Sequence, residues 1–320
     1  MLKKFLALVC FLVLLSCENT SETEQKIAQI PVEVEVVRFD EQFAEATPES
    51  LPELKKEFPF LFPEGISDSV WVEKINDTLQ QALNREVAKA FPNLEEEKDE
   101  FRQLFQHLKY YFPKFSAPKI ITLTSDVDYR NRVIVTDSLL LISLDVYLGK
   151  DHEFYGGIYD YIRKDFEPEL LVSDIAGEYA KNFVPYPTSR SFLAQMVYYG
   201  KILYLKDLLI PFKSDPQKIR YTEKQLEWAK DNEEQIWRYF VENELLFKTD
   251  PDLKSRFIDL APFSKFYLQL DSESPPQLGR YIGWQIVRQF VERNETVSWE
   301  KLLQTDAKTI FDQSNYKPRK

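Results

Sequence analysis

The longest unbroken apolar run, Phe5 to Leu15, follows Lys3 and Lys4. It is too short to cross a bilayer as a permanent helix and has the proportions of a signal-peptide core. From Glu18 to about Pro31 the chain is polar and without period, which predicts a flexible tether. Val32, Val34 and Val36 then alternate with Glu33 and Glu35, the period-2 pattern of a strand with one buried face. Asp40 is placed to cap a short helix. Over Asn93 to Phe112, Phe101, Leu104, Phe105, Leu108 and Phe112 recur at helical spacing, and Glu95 to Glu97 occupy the first turns, where the helix dipole favours negative charge. Pro113 ends that helix. Lys119 to Ser125 and Arg132 to Leu144 are the most β-like stretches, and the turn pair Asp137-Ser138 predicts a hairpin in the second.

Beyond Tyr147 the pattern becomes helical. The spacing predicts helices over Glu169 to Asn182, Ser189 to Leu209, Thr222 to Leu246, Gln277 to Arg293 and Trp299 to Phe311, divided by breaks such as Pro185, Pro211, Pro251, Pro262 and Pro275. Ser189 to Leu209 is apolar on almost every face, as a central helix is. Gly279 and Gly283 fall one turn apart on one helix face; glycine there costs up to ~1 kcal/mol and marks a place where another backbone comes close. With Gly200 on the central helix they are the candidate positions of close helix packing. The expected fold class is α+β and predominantly helical, a small N-terminal mixed sheet followed by a helical region. The expected organisation is a signal peptide over 1–16, a lipidated tether over 17–30 and one globular domain over 31–320.

Leu14-Leu15-Ser16-Cys17 has the lipobox pattern, and Cys17 is the candidate lipid attachment site. Because one acyl chain binds a membrane only marginally, at about 0.8 kcal/mol per buried CH₂, durable attachment takes the several chains of a bacterial lipoprotein, palmitate among them. Cys10 leaves with the signal peptide and Cys17 is consumed by lipid, so the mature chain is expected to have no disulfide, Cys metal site or Cys nucleophile. The formal net charge is −11, and loss of Lys3 and Lys4 makes it −13. Such a field repels nucleic acid.

Chemistry-bearing motifs are sparse. The two histidines, His107 and His152, lack ligand-like spacing and read as solvated or partly satisfied. There is no H-E-x-x-H, no phosphate-binding glycine loop and no G-x-S-x-G. Asp271 and Glu273 are imaginable as a glycosidase acid/base pair, although carboxylates are plentiful enough to make such pairs cheap. Asp68-Ser69-Val70, Asp77-Thr78-Leu79 and Asp137-Ser138-Leu139 fit a short O-glycan acceptor pattern of exported proteins of the Bacteroidota. No metal, cofactor or catalytic residue is assigned.

Several motifs occur in one order: Leu144-Asp145-Val146-Tyr147-Leu148-Gly149-Lys150-Asp151, Met196-Val197-Tyr198-Tyr199-Gly200-Lys201-Ile202-Leu203-Tyr204, and Tyr221-Thr222-Glu223-Lys224-Gln225 leading to Trp228 and Ile236-Trp237-Arg238-Tyr239-Phe240. Ala261-Pro262-Phe263-Ser264-Lys265-Phe266-Tyr267, Ser272-Glu273-Ser274-Pro275 and Tyr281-Ile282-Gly283-Trp284-Gln285-Ile286-Val287-Arg288 follow. Together they resemble the gliding-motility lipoprotein family GldB of the Bacteroidota, densely from about residue 140 onward. Pro275-Pro276 departs from it where glycine is expected after the first proline. The resemblance implies a cell-envelope lipoprotein, anchored to a membrane and facing the periplasm or the cell surface, needed for gliding. It would act without catalysis as a structural or assembly component, with protein partners in the motility and adhesin-secretion machinery. Phe263, Lys265, Tyr281 and Trp284 form the candidate partner-binding region. The order of elements also resembles zincin metallopeptidases, with Ser189 to Leu209 in the place of the zinc helix and Gln195 and Tyr199, or Met196 and Gly200, in the place of its ligands. No such pair holds zinc, so the implied scaffold is a degenerate one. The competing class is an extracytoplasmic hydrolase, carboxylate-based or a divergent peptidase.

Overall fold

The structure is a computed structural model and describes residues 22–269 and 271–319. The apolar run at 5–15 and Cys17 lie outside the described residues. Helix α1 (Glu22–Ala28) leads to strand β1 (Val36–Arg38), then to α2 (Phe39–Ala44), α3 (Leu51–Glu57), α4 (Asp68–Asn76), α5 (Thr78–Ala90) and α6 (Glu95–Tyr111). Strands β2 (Lys119–Leu123), β3 (Val133–Val135) and β4 (Leu139–Ser143) complete the sheet. The rest is helical: α7 (Asp160–Arg163), α8 (Leu171–Phe183), α9 (Phe192–Leu209), α10 (Asp215–Ile219), α11 (Glu223–Asp231), α12 (Glu233–Glu242), α13 (Pro251–Phe257), α14 (Leu278–Arg293), α15 (Trp299–Gln304) and α16 (Ala307–Ser314). The architecture is mixed α and β and mainly helical, with one small mixed sheet.

The sheet runs β1-β2-β4-β3, parallel from β1 to β4, with β3 antiparallel on one edge. Alternation sends its side chains to two layers. Val36, Ile120, Leu140, Ile142 and Val133 pack with Phe101, Leu104, Phe105 and Leu108 of α6 and with Leu171, Val172, Ile175 and Ala176 of α8. Ile121, Val37 and Leu141 face a smaller core of Phe39, Phe43, Leu51, Leu54, Phe58 and Phe62. In the second layer Phe62 meets Trp71 edge-on at 4.8 Å. Beyond α8 the helical half closes around α9 and α14 in a separate core containing Met196, Phe240, Phe257, Ile282, Trp284 and Phe290.

Several expectations need correction. The segment expected as tether is folded from Glu22: Ile27 is buried, and the Gln106 amide donates to Ala28 O and Ile30 O at 3.1 and 3.0 Å. Ile27, Ala28 and Ile30 at the end of a polar stretch are too few to carry a period, and the segment docks on α6. Asp40 caps nothing; it lies inside α2, buried, paired with Arg38 at 2.7 Å and accepting from the Thr122 hydroxyl. Val32 and Val34 precede the paired strand because the register with β2 starts at Val36 opposite Ile120. The helix predicted over Thr222 to Leu246 is two helices broken at Asn232, whose side chain donates to Trp228 O at 2.8 Å. Trp299 to Phe311 also divides. Asp306 caps α16 by accepting Thr309 N–H at 3.0 Å, while buried Lys201 donates to Leu303 O and Thr305 O at the end of α15, where a cation meets the negative helix terminus.

Candidate functional site

A cleft of about 790 Å³ lies between the end of α6, the end of α8, the start of α15 and the β3–β4 hairpin. Its wall is aromatic. Phe112 stacks on Phe183 with centroids 3.7 Å apart, and Trp299 lies 4.6 Å from Phe112. Tyr179 sits beneath, 5% exposed, with a hydroxyl that has no hydrogen-bond partner among the described residues. Val135, Thr136 and Asp137 form the opposing rim. Thr136 N–H donates to Leu139 O and Ser143 N–H to Arg132 O, and Ile134 stands opposite Leu141. The alternate residues Val133 and Val135 therefore turn their backbone N–H and C=O groups away from β4, along an open sheet edge. Sequence inspection missed this cleft because its wall comes from four separated segments.

The crossing of α9 and α14 is built from backbone. A Cβ at Gly283 would lie 1.9 Å from Met196 O, and one at Gly200 2.3 Å from Gly283 O. One at Gly279 would lie 2.8 Å from Phe257 O and from Ile258 Cδ1, so that glycine admits the end of α13 as well.

The family model of the gliding motility protein GldB matches residues 20–318, nearly the whole chain. The chain belongs to the GldB family. No curated protein and no solved structure shows significant similarity to it. Among the described residues of this GldB-family chain no helix is long and apolar enough to cross a membrane.

The motif side chains of the GldB-family chain mostly serve the interior. Tyr281 is 1% exposed and Trp284 fully buried, which removes both from any partner-facing surface in this conformation. Tyr281 donates its hydroxyl to Glu233 at 2.7 Å; the same buried carboxylate accepts from Tyr316 OH at 2.8 Å and Arg319 N–H at 3.1 Å, pinning the C-terminal segment. Trp284 Nε1 donates to Asp207 at 2.9 Å under the Arg288 guanidinium, which bonds Asp207 and Asp215. Both residues are large and apolar in an otherwise buried helix, and that pattern is the signal of a core position rather than of a docking patch. Phe263 is half-buried and Lys265 exposed, in a loop tied down by Arg256 Nε donating to Lys265 O at 2.8 Å.

His107 is buried, its Nδ1 2.8 Å from Gln103 O and its Nε2 3.1 Å from Glu24. His152 is 3.3 Å from Glu86. Asp271 accepts the N–H groups of Phe266 and Tyr267 at 2.9 and 2.8 Å, a turn-closing duty. Ser69, Thr78 and Ser138 of the three acceptor triplets are all exposed. Among the described residues no cluster of His, Cys, Asp and Glu is arranged to hold a metal ion.

Proposed function

We propose that this GldB-family chain is a non-catalytic envelope lipoprotein of the gliding apparatus, held to a membrane by lipid on Cys17. It works as a structural or assembly component by docking an extended segment of a partner protein in the motility and adhesin-secretion machinery. The observation that supports this is the cleft, where an aromatic wall faces a hairpin whose outer strand carries unpaired backbone groups. Strand addition at a sheet edge draws affinity from main-chain hydrogen bonds and specificity from pockets beside the edge. A hydrolase should instead converge carboxylates of shifted acidity in its deepest recess. Burial raises the Asp145 and Glu97 carboxyls above their ordinary range, but neither lines the cleft, and Asp145 accepts the N–H groups of Ser125 and Val127 at 3.0 and 2.7 Å.

Asn182 and Ser116 are exposed on the cleft rim, so arginine at both obstructs the recess without entering the core. The double variant Asn182→Arg, Ser116→Arg is expected to melt with the parent and partition to membrane as before, while gliding speed drops several-fold. Parental gliding in that variant would remove the cleft from the function. Cys17→Ser is expected to abolish lipid labelling and release the protein from membrane; unchanged labelling and partition would show the anchor to lie elsewhere.

The degenerate-peptidase ancestry, with α9 in the place of the zinc helix, remains a proposal that the packing of α9 does not favour. α8 packs against β3, whereas α9 packs chiefly on α14. The divergent-peptidase alternative would gain from stoichiometric zinc together with hydrolysis lost on chelation and restored by zinc, and the carboxylate-based one from metal-independent hydrolysis lost when a cleft carboxylate is replaced.

A further inference from the structure

Beside Gly177 the helices α8, α9 and α14 and the turn after α10 enclose a second, smaller recess of about 90 Å³, roughly three times the ~30 Å³ that one water takes in the liquid. Its lining is cationic in a chain whose net charge is −11. Lys181, Lys206, Lys218, Arg220 and Arg280 all border it, with Glu178 the one acid among its lining residues. Most of these charges are already matched. Lys181 holds Glu178 at 2.6 Å, Lys218 holds Asp207 at 3.1 Å, and Arg220 is bound to Asp174.

Two cations remain over. Lys206 is 4% exposed and donates to a neutral acceptor, Lys218 O at 2.7 Å; its Nζ lies 3.8 Å from where a Gly177 Cβ would be. Arg280 donates Nε to Ile258 O at 2.7 Å and stacks on the Tyr199 ring at 4.0 Å. Neither has a carboxylate at ion-pairing distance among the described residues, and Arg220 repels both. A buried charge without a counter-ion is expensive. Buried Lys206 with half-buried Arg280 beside the same recess makes a place whose electrostatics an anion would complete, and guanidinium together with ammonium is the donor set that oxyanions take. The absence of a side chain at Gly177 leaves Lys206 open to the recess.

We propose that Lys206 and Arg280, with Arg220 and Lys181 at the rim, bind a small oxyanion of the sulfate or phosphate type, free or as the terminal group of a larger molecule. The site is distinct from the aromatic cleft and does not depend on the docking function. Burial, and secondarily Arg220, push the Lys206 ammonium down to about 7. Occupancy should therefore strengthen as pH falls through that region, while sulfate itself keeps its charge. The groups facing Lys206 are Asp174, Glu178 and Lys181 of α8 and Arg220 of the following turn. Asp174, held by Arg132 and Arg220 below its ordinary range, keeps its charge over that interval, and Glu178 is paired with Lys181.

The test is calorimetric titration of the purified chain with sodium sulfate at pH 6 and pH 8, at constant ionic strength set with chloride. One-to-one binding is expected, at least tenfold weaker at pH 8. Lys206→Met and Arg280→Gln should each weaken it tenfold or more, and the exposed Lys308→Met should not. Using both variants keeps the outcome decisive if one of them folds poorly. Phenyl phosphate distinguishes the sources: sulfate binding alone assigns a free ion, and binding of both assigns a terminal group. Absence of saturable binding, or affinity equal in parent, Lys206→Met and Arg280→Gln, would overturn the site.

Discussion

Gly283→Ala is expected to destabilise the protein by about 3 kcal/mol, at the upper end of what overpacking costs, although it adds a single methyl group. The added Cβ would stand 1.9 Å from Met196 O and 2.4 Å from its carbonyl carbon, far inside van der Waals contact. A flexible side chain could swing aside, but these are backbone atoms of a helix whose hydrogen bonds fix them. The only relief is to part α9 and α14, and Gly200, whose own Cβ position is 2.4 Å from Gly283 C, shows that the two backbones interlock from both sides. Parting them opens voids around Met196, Ile282, Trp284 and Ile286, all fully buried. Thermal unfolding should register a fall of roughly 5 °C or more. Gly157→Ala is the matching control, because nothing lies within 4 Å of its added carbon; it should stay within about 0.5 kcal/mol of the parent. Equal melting of the two variants would show that the helices are not held at this distance.

The parts of this fold that the sequence announces are those where one element buries one face against a continuous layer. The stripe of α6, the all-round apolar surface of α9 and the β-branched and aliphatic runs of β2 and β4 are of that kind, and they place these elements to within a few residues. Residues 39–91 are different. Leu51, Leu54, Phe58 and Phe62 reach the core from short helices joined by turns, so no single window carries a period long enough to read. The breaks at Asn232 and Asp306 are set by side-chain hydrogen bonds, without the glycine or proline that marks most helix ends. Tyr281 and Trp284 show the converse problem. A motif rich in aromatics invites a docking interpretation, while the buried partners Glu233 and Asp207 that explain it stand 48 and 77 residues away in the chain. The cationic recess is unreadable for the same reason, since Lys181, Lys206, Arg220 and Arg280 converge only once α8, α9 and α14 have packed.

Asp174→Asn is expected to cost about 3 to 5 kcal/mol at neutral pH, the range for removing one partner from a buried ion pair, and to cost much less in acid. The Asp174 carboxylate is 2% exposed and joins four segments: Arg132 Nε at 2.9 Å before β3, the Tyr147 hydroxyl at 2.9 Å, the Arg220 guanidinium after α10, and α8 itself. The asparagine preserves shape but leaves two guanidiniums around a neutral amide, with Tyr147 donating to a weaker acceptor. Burial on its own would raise the pKa of this carboxyl, yet Arg132 and Arg220 outweigh it and hold the group below its ordinary value of 3.8. A carboxyl depressed in the folded state stabilises the fold above the unfolded value of about 3.9. That contribution fades as pH falls through the folded value, where the native carboxylate must take up a proton. Parent stability should thus drop steeply below about pH 4, and the asparagine variant, which has no proton to gain there, should show a shallower fall. Urea unfolding of both proteins at pH 7 and pH 3 measures the convergence. A difference of the same size at both values would mean that the variant is weakened through packing alone and that the charge of Asp174 does not hold the sheet and the helical half together.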